Sequence, residues 1–407
     1  MPANAQTNIQ ECSRPRLDPA WIVVLAGVAA ALHVGKLPPA LPVLQQTLGL
    51  SLVQSGFLVS LVQMAGMLLG LFVGLAGDTL GHRRCMVAGL LTLAAASVAG
   101  GFCDGAVGLL VLRGVEGVGL LLAVTPGPSL IRRVTPPREI DARMGLWGAY
   151  MPTGTALALL AGPWVLPRAG WPVWWWLLAG ASAAAAAWLW HAVPPDPVPT
   201  GAGMPQGDGW GARARRTLAA PGPWLLGLSF ACYAGQWLAV IGFLPTVYAQ
   251  ANVPAATAGA LTALAAAVNV VGNVGAGRLL RRGVAPPVLL RVGFTSMALG
   301  ATCAFLPALD TGPVGRYAAV LMFSLVGGLV PATLFALSLR MAPDNRTVST
   351  TVGWMQQCSS IGQFLMPPLV GWVAKQAGGW QWTWAVTGAG CVCGLLLAGR
   401  VARLLRR

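Results

Sequence analysis

The stretch Gly74-Leu-Ala-Gly-Asp-Thr-Leu-Gly-His-Arg-Arg84 (GLAGDTLGHRR) is a short polar break between two apolar runs, about 52–77 and 85–102. Each run approaches the ~20 residues that cross a bilayer core as a helix. The break is too short to fold alone, so the chain leaves the membrane and re-enters it from the same side. Arg83 and Arg84 mark that side with positive charge.

The same alternation continues along the chain. Apolar segments fall at roughly 20–44, 52–77, 85–102, 106–131, 144–166, 171–193, 222–250, 255–277, 287–308, 313–339, 347–374 and 380–399. Of 407 residues, 56% are hydrophobic and 9% charged, with a mean hydropathy of +0.68; water-soluble domains carry about 25% charged residues. A polytopic helical membrane protein is the class that fits.

The net charge of +15 does not point to nucleic acid, because the basic residues sit in alternate connections. Arg14 and Arg16, then Arg83 and Arg84, Arg132 to Arg143, Arg213 to Arg216, Arg278 to Arg282, Arg340 and Arg346, and Arg400 to Arg407 fall on one side; Arg168 and Lys375 fall on the other. The positive-inside rule then puts both termini and the central loop in the cytoplasm, with the chain multi-pass in a bacterial-type inner membrane. Residues 1–19 hold no apolar core of a cleavable signal, so the first span is expected to direct insertion. The eight cysteines form no CxxC pair and read as small apolar residues.

Pro194 to Ala220 is Pro/Gly-rich, then basic, and divides six spans from six. The expected organisation is a cytoplasmic tail (1–19), a first bundle (20–193), a flexible cytoplasmic linker (194–220), a second bundle (221–400) and a basic tail (401–407). The halves repeat at an offset of 203: Trp21 with Trp224, Pro42 with Pro245, Gly74 with Gly277, Arg113 with Arg316, and Pro128 with Pro331. Later it becomes 205, pairing Gly148 with Gly353 and Pro163 with Pro368. A parallel duplication of a six-helix unit is the pattern of a transporter whose halves rock about a shared site.

In GLAGDTLGHRR, Gly74, Asp78, Gly81, Arg83 and Arg84 match the G-x-x-x-D-x-x-G-x-[RK]-[RK] loop between helices 2 and 3 of major facilitator superfamily transporters. Arg113-Gly-Val-Glu-Gly-Val-Gly119 matches that family's R-x-x-x-G-x-G pattern in helix 4. The chain resembles this superfamily over nearly its whole length, with its general texture nearest the bacterial cyanate permease-like branch. The resemblance implies an all-α fold of twelve transmembrane helices in two pseudo-symmetric six-helix bundles, alternating access, and a gating role for the helix 2–3 loop. The helix-5 pattern of proton-coupled drug exporters is only partly present, since Gly162-Pro163 is followed by Trp-Val-Leu.

Few ionisable residues lie within spans: His33, Lys36, Arg113, Glu116 and, nearer an end, Arg316. Spacings of three place His33 with Lys36 and Arg113 with Glu116 on shared helix faces. At 1.5 Å per residue all four lie roughly 10–16 Å deep. A charge facing lipid there costs roughly 3 kcal/mol, so they face the protein interior or a wet cavity. Two readings stay open: a staple in which Glu116 neutralises Lys36 or Arg113, and a solute site in which three cations facing one acid favour an anion. On the site reading His33, Lys36, Arg113 and Arg316 bind substrate. Tyr233, Gln236, Asn269, Asn273, Gln356 and Gln357 complete the cavity from the other half, and Pro38-Pro39 bends the first helix beside it. Glu116 and His33 are the candidate proton carriers.

The expected function is thus secondary transport of a small polar, anionic solute, with proton coupling left open. The alternative is proton-driven efflux of hydrophobic or drug-like compounds, and the remaining one a membrane receptor or enzyme on the same fold. No P-loop follows either lysine, and His33, His82 and His191 fall in separate segments. No enzyme, metal or cofactor is therefore expected. The partners expected are a small solute, a proton and the bilayer, with the chain a monomer.

Overall fold

The computed structural model describes residues 18–49, 52–196, 209–309 and 312–406. They form α1 (Pro19–Gly35), α2 (Leu37–Leu48), α3 (Leu52–Leu80), α4 (His82–Gly100), α5 (Ala106–Val124), α6 (Gly127–Val134), α7 (Ile140–Gly148) and α8 (Tyr150–Ala192). After the central connection come α9 (Trp210–Ala219), α10 (Pro221–Gln250), α11 (Ala255–Arg281), α12 (Pro286–Phe305), α13 (Gly312–Gly327), α14 (Leu329–Met341), α15 (Val348–Ala377) and α16 (Thr383–Leu404).

These helices make twelve passes because several passes are broken. Pro38 and Pro39 remove two amide donors, so the ladder is interrupted at Lys36 while its backbone stays helical (φ −69°, ψ −28°). Pro126 separates α5 from α6, and a similar junction divides α13 from α14. The 43-residue α8 holds two passes, folded back at Gly170, whose φ of +80° lies between Pro167 and Pro172. Nine stretches of the described residues are long and apolar enough to cross a membrane. The second pass within α8, together with α3 and α15, completes the twelve. The α15 helix (VSTTVGWMQQCSSIGQFLMPPLVGWVAKQA) is the most polar pass, because it lies in the seam between the bundles against α3 and α10.

In the first bundle α1 packs on α8, α4 on α5 and α8, and α3 on α5; in the second, α10 packs on α15 and α16, and α12 on α13 and α16. The bundles meet through α3 with α15, and through α7 and α8 with α11. Glycine makes these crossings close. A Cβ on Gly145 would stand 2.7 Å from the Gly277 Cα, and one on Gly353 would stand 2.8 Å from the Gly74 Cα. The repeat thus has a physical reason, since Gly74 and its counterpart Gly277 both sit where one bundle crosses the other. Leu68, Phe72, Val107, Val111 and Trp164 are exposed on the outside, as lipid-facing side chains must be.

The linker expectation divides. Residues 197–208 lie outside the described residues, as does the tail 1–17. Trp210–Ala219, expected to be flexible, is a helix, with Arg213 and Thr217 buried beneath it.

Candidate functional site

Two polar assemblies lie in the membrane-spanning region, and they are separate. The first is a cavity of about 70 Å³ between the bundles. Tyr150 lines it from the first bundle; Phe230, Tyr233, Trp237 and Phe335 line it from the second. Among the described residues its polar groups are Gln63, Asn269, Gln356, Ser359, Ser360 and Gln363, and none of the described lining residues carries a charge. Gln63 donates to Gln363 across the seam at 3.1 Å. Tyr233 and Asn269 are joined at 3.0–3.2 Å, and Asn269 also donates to the Ser324 carbonyl at 2.6 Å. The floor is aromatic: Trp147 stacks on Tyr150 at 4.6 Å and meets Phe335 edge-on at 6.4 Å, with Phe230 a further 5.5 Å along.

The second assembly is wholly inside the first bundle. His33, Lys36, Arg113 and Glu116 are each at most 3% exposed. Glu116 Oε1 pairs with the Lys36 ammonium, and Oε2 accepts from Arg113 Nη1 at 2.8 Å. The break at Lys36 lets that side chain also reach Ser97 Oγ at 3.0 Å and the Trp175 ring at 4.5 Å from its centroid. Arg113 also donates from Nε to the Leu58 carbonyl (3.0 Å) and from Nη1 to the His33 carbonyl (2.7 Å). His33 Nε2 meets Ser182 Oγ at 2.8 Å, and its Nδ1 faces Lys36 and Glu116 at 3.4 and 3.8 Å. One acid thus serves two cations, and carbonyl oxygens and a tryptophan face absorb the remaining positive charge.

The candidate residues are distributed accordingly. Tyr233, Asn269 and Gln356 line the central cavity; His33, Lys36, Arg113 and Glu116 do not. Gln236 is buried behind the wall, donating to the Cys232 carbonyl and accepting from Cys391 Sγ. Asn273 bonds back to Asn269 at the Gly148 crossing. Gln357 clasps α3, donating to the Met67 carbonyl at 2.8 Å and accepting from the Leu71 amide at 3.0 Å. Arg316 is exposed at the far end of α13, in a different cavity. The expectation that three cations face one cavity is therefore not met, because the first half folds its charges inward onto one another. Gln63, Tyr150, Ser359, Ser360 and Gln363 were not singled out from sequence; the density of Ser, Thr and Gln in α15 was a signal for Ser359, Ser360 and Gln363, and none marked Gln63 or Tyr150.

At the basic face the bundles are joined by polar contacts. His82 Nε2 and Ser129 Oγ both reach Ser349 Oγ, at 2.7 and 2.8 Å. Arg132 donates to Asn345 at 2.7 Å, and Arg340 pairs with both oxygens of Asp141 at 2.9–3.0 Å. Within GLAGDTLGHRR the arginines stay in their own bundle. Arg83 donates to the carbonyls of Val193 and Trp190 and lies 4.3 Å from the centre of the Trp190 ring. The amides of Arg83 and Arg84 donate to Asp196, packed against Gly81, and Arg133 closes on the same carboxylate at 2.7 Å. Burial would raise the Asp196 carboxyl, but the Arg83 amide, the Arg133 guanidinium and the Arg84 amide outweigh it and hold its pKa below the usual carboxylate value. The Asp78 side chain lies outside the described residues.

Comparison with known proteins agrees with this architecture. A family model described as Major Facilitator Superfamily matches residues 23–362. The tetracenomycin C resistance and export protein of Streptomyces glaucescens is 28% identical over 164 residues, which span 39% of this chain and 30% of that protein's length. The solved structure of the MFS transporter FucP in its outward conformation superposes with a TM-score of 0.73, at 14% identity over 94% of this chain and 98% of that one. The proton:xylose symporter XylE, bound to 6-bromo-6-deoxy-D-glucose, superposes with a TM-score of 0.79, at 12% identity over 94% and 95%. At such identities the likeness is one of fold. The twelve passes, the two pseudo-symmetric bundles and the family match together make this chain a member of the Major Facilitator Superfamily, a membrane transporter and not an enzyme.

Proposed function

We propose that the chain is a secondary transporter exporting an uncharged, largely aromatic solute that carries a few hydrogen-bonding groups. The observation that carries this reading is the described lining of the central cavity: five aromatic rings, amide and hydroxyl groups, and no charged side chain among the described residues. Rings of this kind favour flat apolar solutes by offset or edge-on stacking, and the amides orient them. An anion would find no cation there, because Lys36 and Arg113 are spent on Glu116 and carbonyl oxygens. The Streptomyces relative, a resistance and export protein, runs in the same direction.

In this reading the arginine-rich face is cytoplasmic, both termini included, in a bacterial-type inner membrane, and the monomer transports. The bundles 20–193 and 221–400 rock about the cavity. The polar contacts between Ser349, His82, Ser129, Arg132, Asn345, Asp141 and Arg340 close the cytoplasmic side, which is the role expected of the motif loop. Glu116 is the group through which protons drive the cycle, with His33 beside it.

Reconstituted vesicles with an imposed pH gradient test the reading. Uncharged aromatic compounds are accumulated against their gradient, and Trp237→Ala weakens the apparent affinity by about tenfold, one lost ring contact. Glu116→Gln retains exchange but loses proton-driven accumulation. Transport of small carboxylates in place of aromatics, abolished by Lys36→Ala, would restore the anion reading instead.

A further inference from the structure

The second half contains a second cavity, of about 710 Å³, at the face away from the basic connections. It is ringed by α10, α11, α12, α13 and the turn Trp380–Trp382 ahead of α16, so it lies inside one bundle, apart from the central cavity. Its walls are apolar, with Leu244, Phe305, Val320 and Trp380 among them, and among the described residues its one charged group is Arg316, which is exposed. No ion pair joins Arg316 to another described residue.

The internal repeat shows what this place lacks. Arg316 stands 203 residues after Arg113, and Trp380 stands 205 after Trp175. In the first half that arginine and tryptophan are completed by Glu116, Lys36 and His33, beside a packed cluster that includes Leu37, Leu58 and Trp175. At the matching positions the second half has Ala319, Ala239 and Gln236. The arginine and the tryptophan remain, the acid that neutralised the cation is gone, and open space replaces packed side chains. A cation left unneutralised at the edge of an apolar cavity within a membrane protein is a site for an anion.

We propose that this cavity binds an anionic amphiphile: a carboxylate or phosphate on the Arg316 guanidinium, with a slender apolar chain along Leu244, Phe305, Val320 and Trp380. Arg316 starts the second turn of α13 (Gly312–Gly327), about 6 Å along it. That depth suits a headgroup with its chain running inward. The same chemistry has two sources, an anionic phospholipid of the surrounding leaflet or a free single-chain amphiphile.

The full-length protein in phosphatidylcholine nanodiscs is titrated with laurate and, as an uncharged control of equal length, dodecanol. In parallel, nanodiscs containing phosphatidylglycerol are analysed for lipid that stays with the protein. Laurate is expected to bind saturably and dodecanol at least tenfold more weakly. Arg316→Gln weakens laurate at least tenfold, and Val320→Phe, which fills the cavity and keeps the charge, does the same. Retention of phosphatidylglycerol that Arg316→Gln abolishes assigns the site to the membrane; laurate binding without it assigns the site to a free amphiphile. Equal binding of laurate and dodecanol, equal laurate binding by wild type and Arg316→Gln, or no binding of either anion overturns the proposal. Each variant is read beside its melting temperature without ligand, so an unfolded sample is not scored as lost binding.

Discussion

The Lys36 ammonium rests on the Glu116 carboxylate across 80 residues of sequence, and the pair is almost wholly shielded from water. Removing one partner of a buried pair leaves a charge without compensation, a loss of about 3–5 kcal/mol. Glu116→Ala, which strands two cations, is expected to cost the most. Lys36→Met leaves Glu116 with Arg113 and costs less. Thermal unfolding in detergent should give the order wild type, Lys36→Met, Glu116→Ala; a Glu116→Ala protein melting with wild type would contradict the staple.

Gly145 and Gly277 let the bundles touch backbone to backbone on the basic side. A leucine at 145 cannot fit without parting them. Gly145→Leu should favour the arrangement open toward the basic face, with folding of each bundle retained. A cysteine at the cavity residue 360, in a background with the native cysteines replaced, would then react with maleimide from that face. Unchanged reactivity would show that the crossing is not part of the gate.

Asp196 ties the start of α4 to the end of α8. Its folded pKa lies below the ordinary carboxylate value, so its stabilisation is complete above that ordinary value, near pH 4, and is lost as the pH falls through the depressed one. Asp196→Asn should lose about 1.5–3 kcal/mol at neutral pH, the worth of hydrogen bonds to a charged acceptor. It should also show a flatter decline of melting temperature below pH 4. Parallel acid profiles for the two proteins would count against the assignment.

Arg340 and Asp141 form an exposed ion pair between the bundles, with Arg340 53% exposed. Such pairs contribute at most about 1 kcal/mol, enough to shift a two-state equilibrium about fivefold. Asp141→Arg opposes two cations and should speed opening at the basic face; Asp141→Arg with Arg340→Asp should restore the wild-type rate. The effect should shrink as salt is raised. A double variant no closer to wild type than the single one would deny the pair a gating role.

The twelve passes, their break points and the pairing of the halves were legible in the chain because each rests on local chemistry. Apolar length decides whether a segment spans, and Pro38-Pro39 and Gly170 act on their own backbone. The repeat marked Gly74 and Gly277 as equivalent positions, and the structure places each at a crossing between the bundles. The cavity was only partly legible: Tyr233, Asn269 and Gln356 line it, whereas Asn273 bonds within its own helix, Gln236 bonds to Cys232 of its own helix and to Cys391, and Gln357 clasps α3. Which way a side chain points around a helix depends on partners distant in sequence, such as Gln363, 300 residues from Gln63.

The sequence by itself determined that His33, Lys36, Arg113 and Glu116 face away from lipid, at similar depth and in pairs on shared faces, because charge in hydrocarbon is costly and helical spacing sets the pairs. Only the tertiary structure decided that they close on one another, while the equivalent Arg316 opens onto empty space. Neutralising a buried cation requires an acid within a few ångströms, and packing of α1 against α4, α5 and α8 brings one to Lys36. Among the described residues no acid pairs with Arg316, and Ala319 occupies the place that corresponds to Glu116.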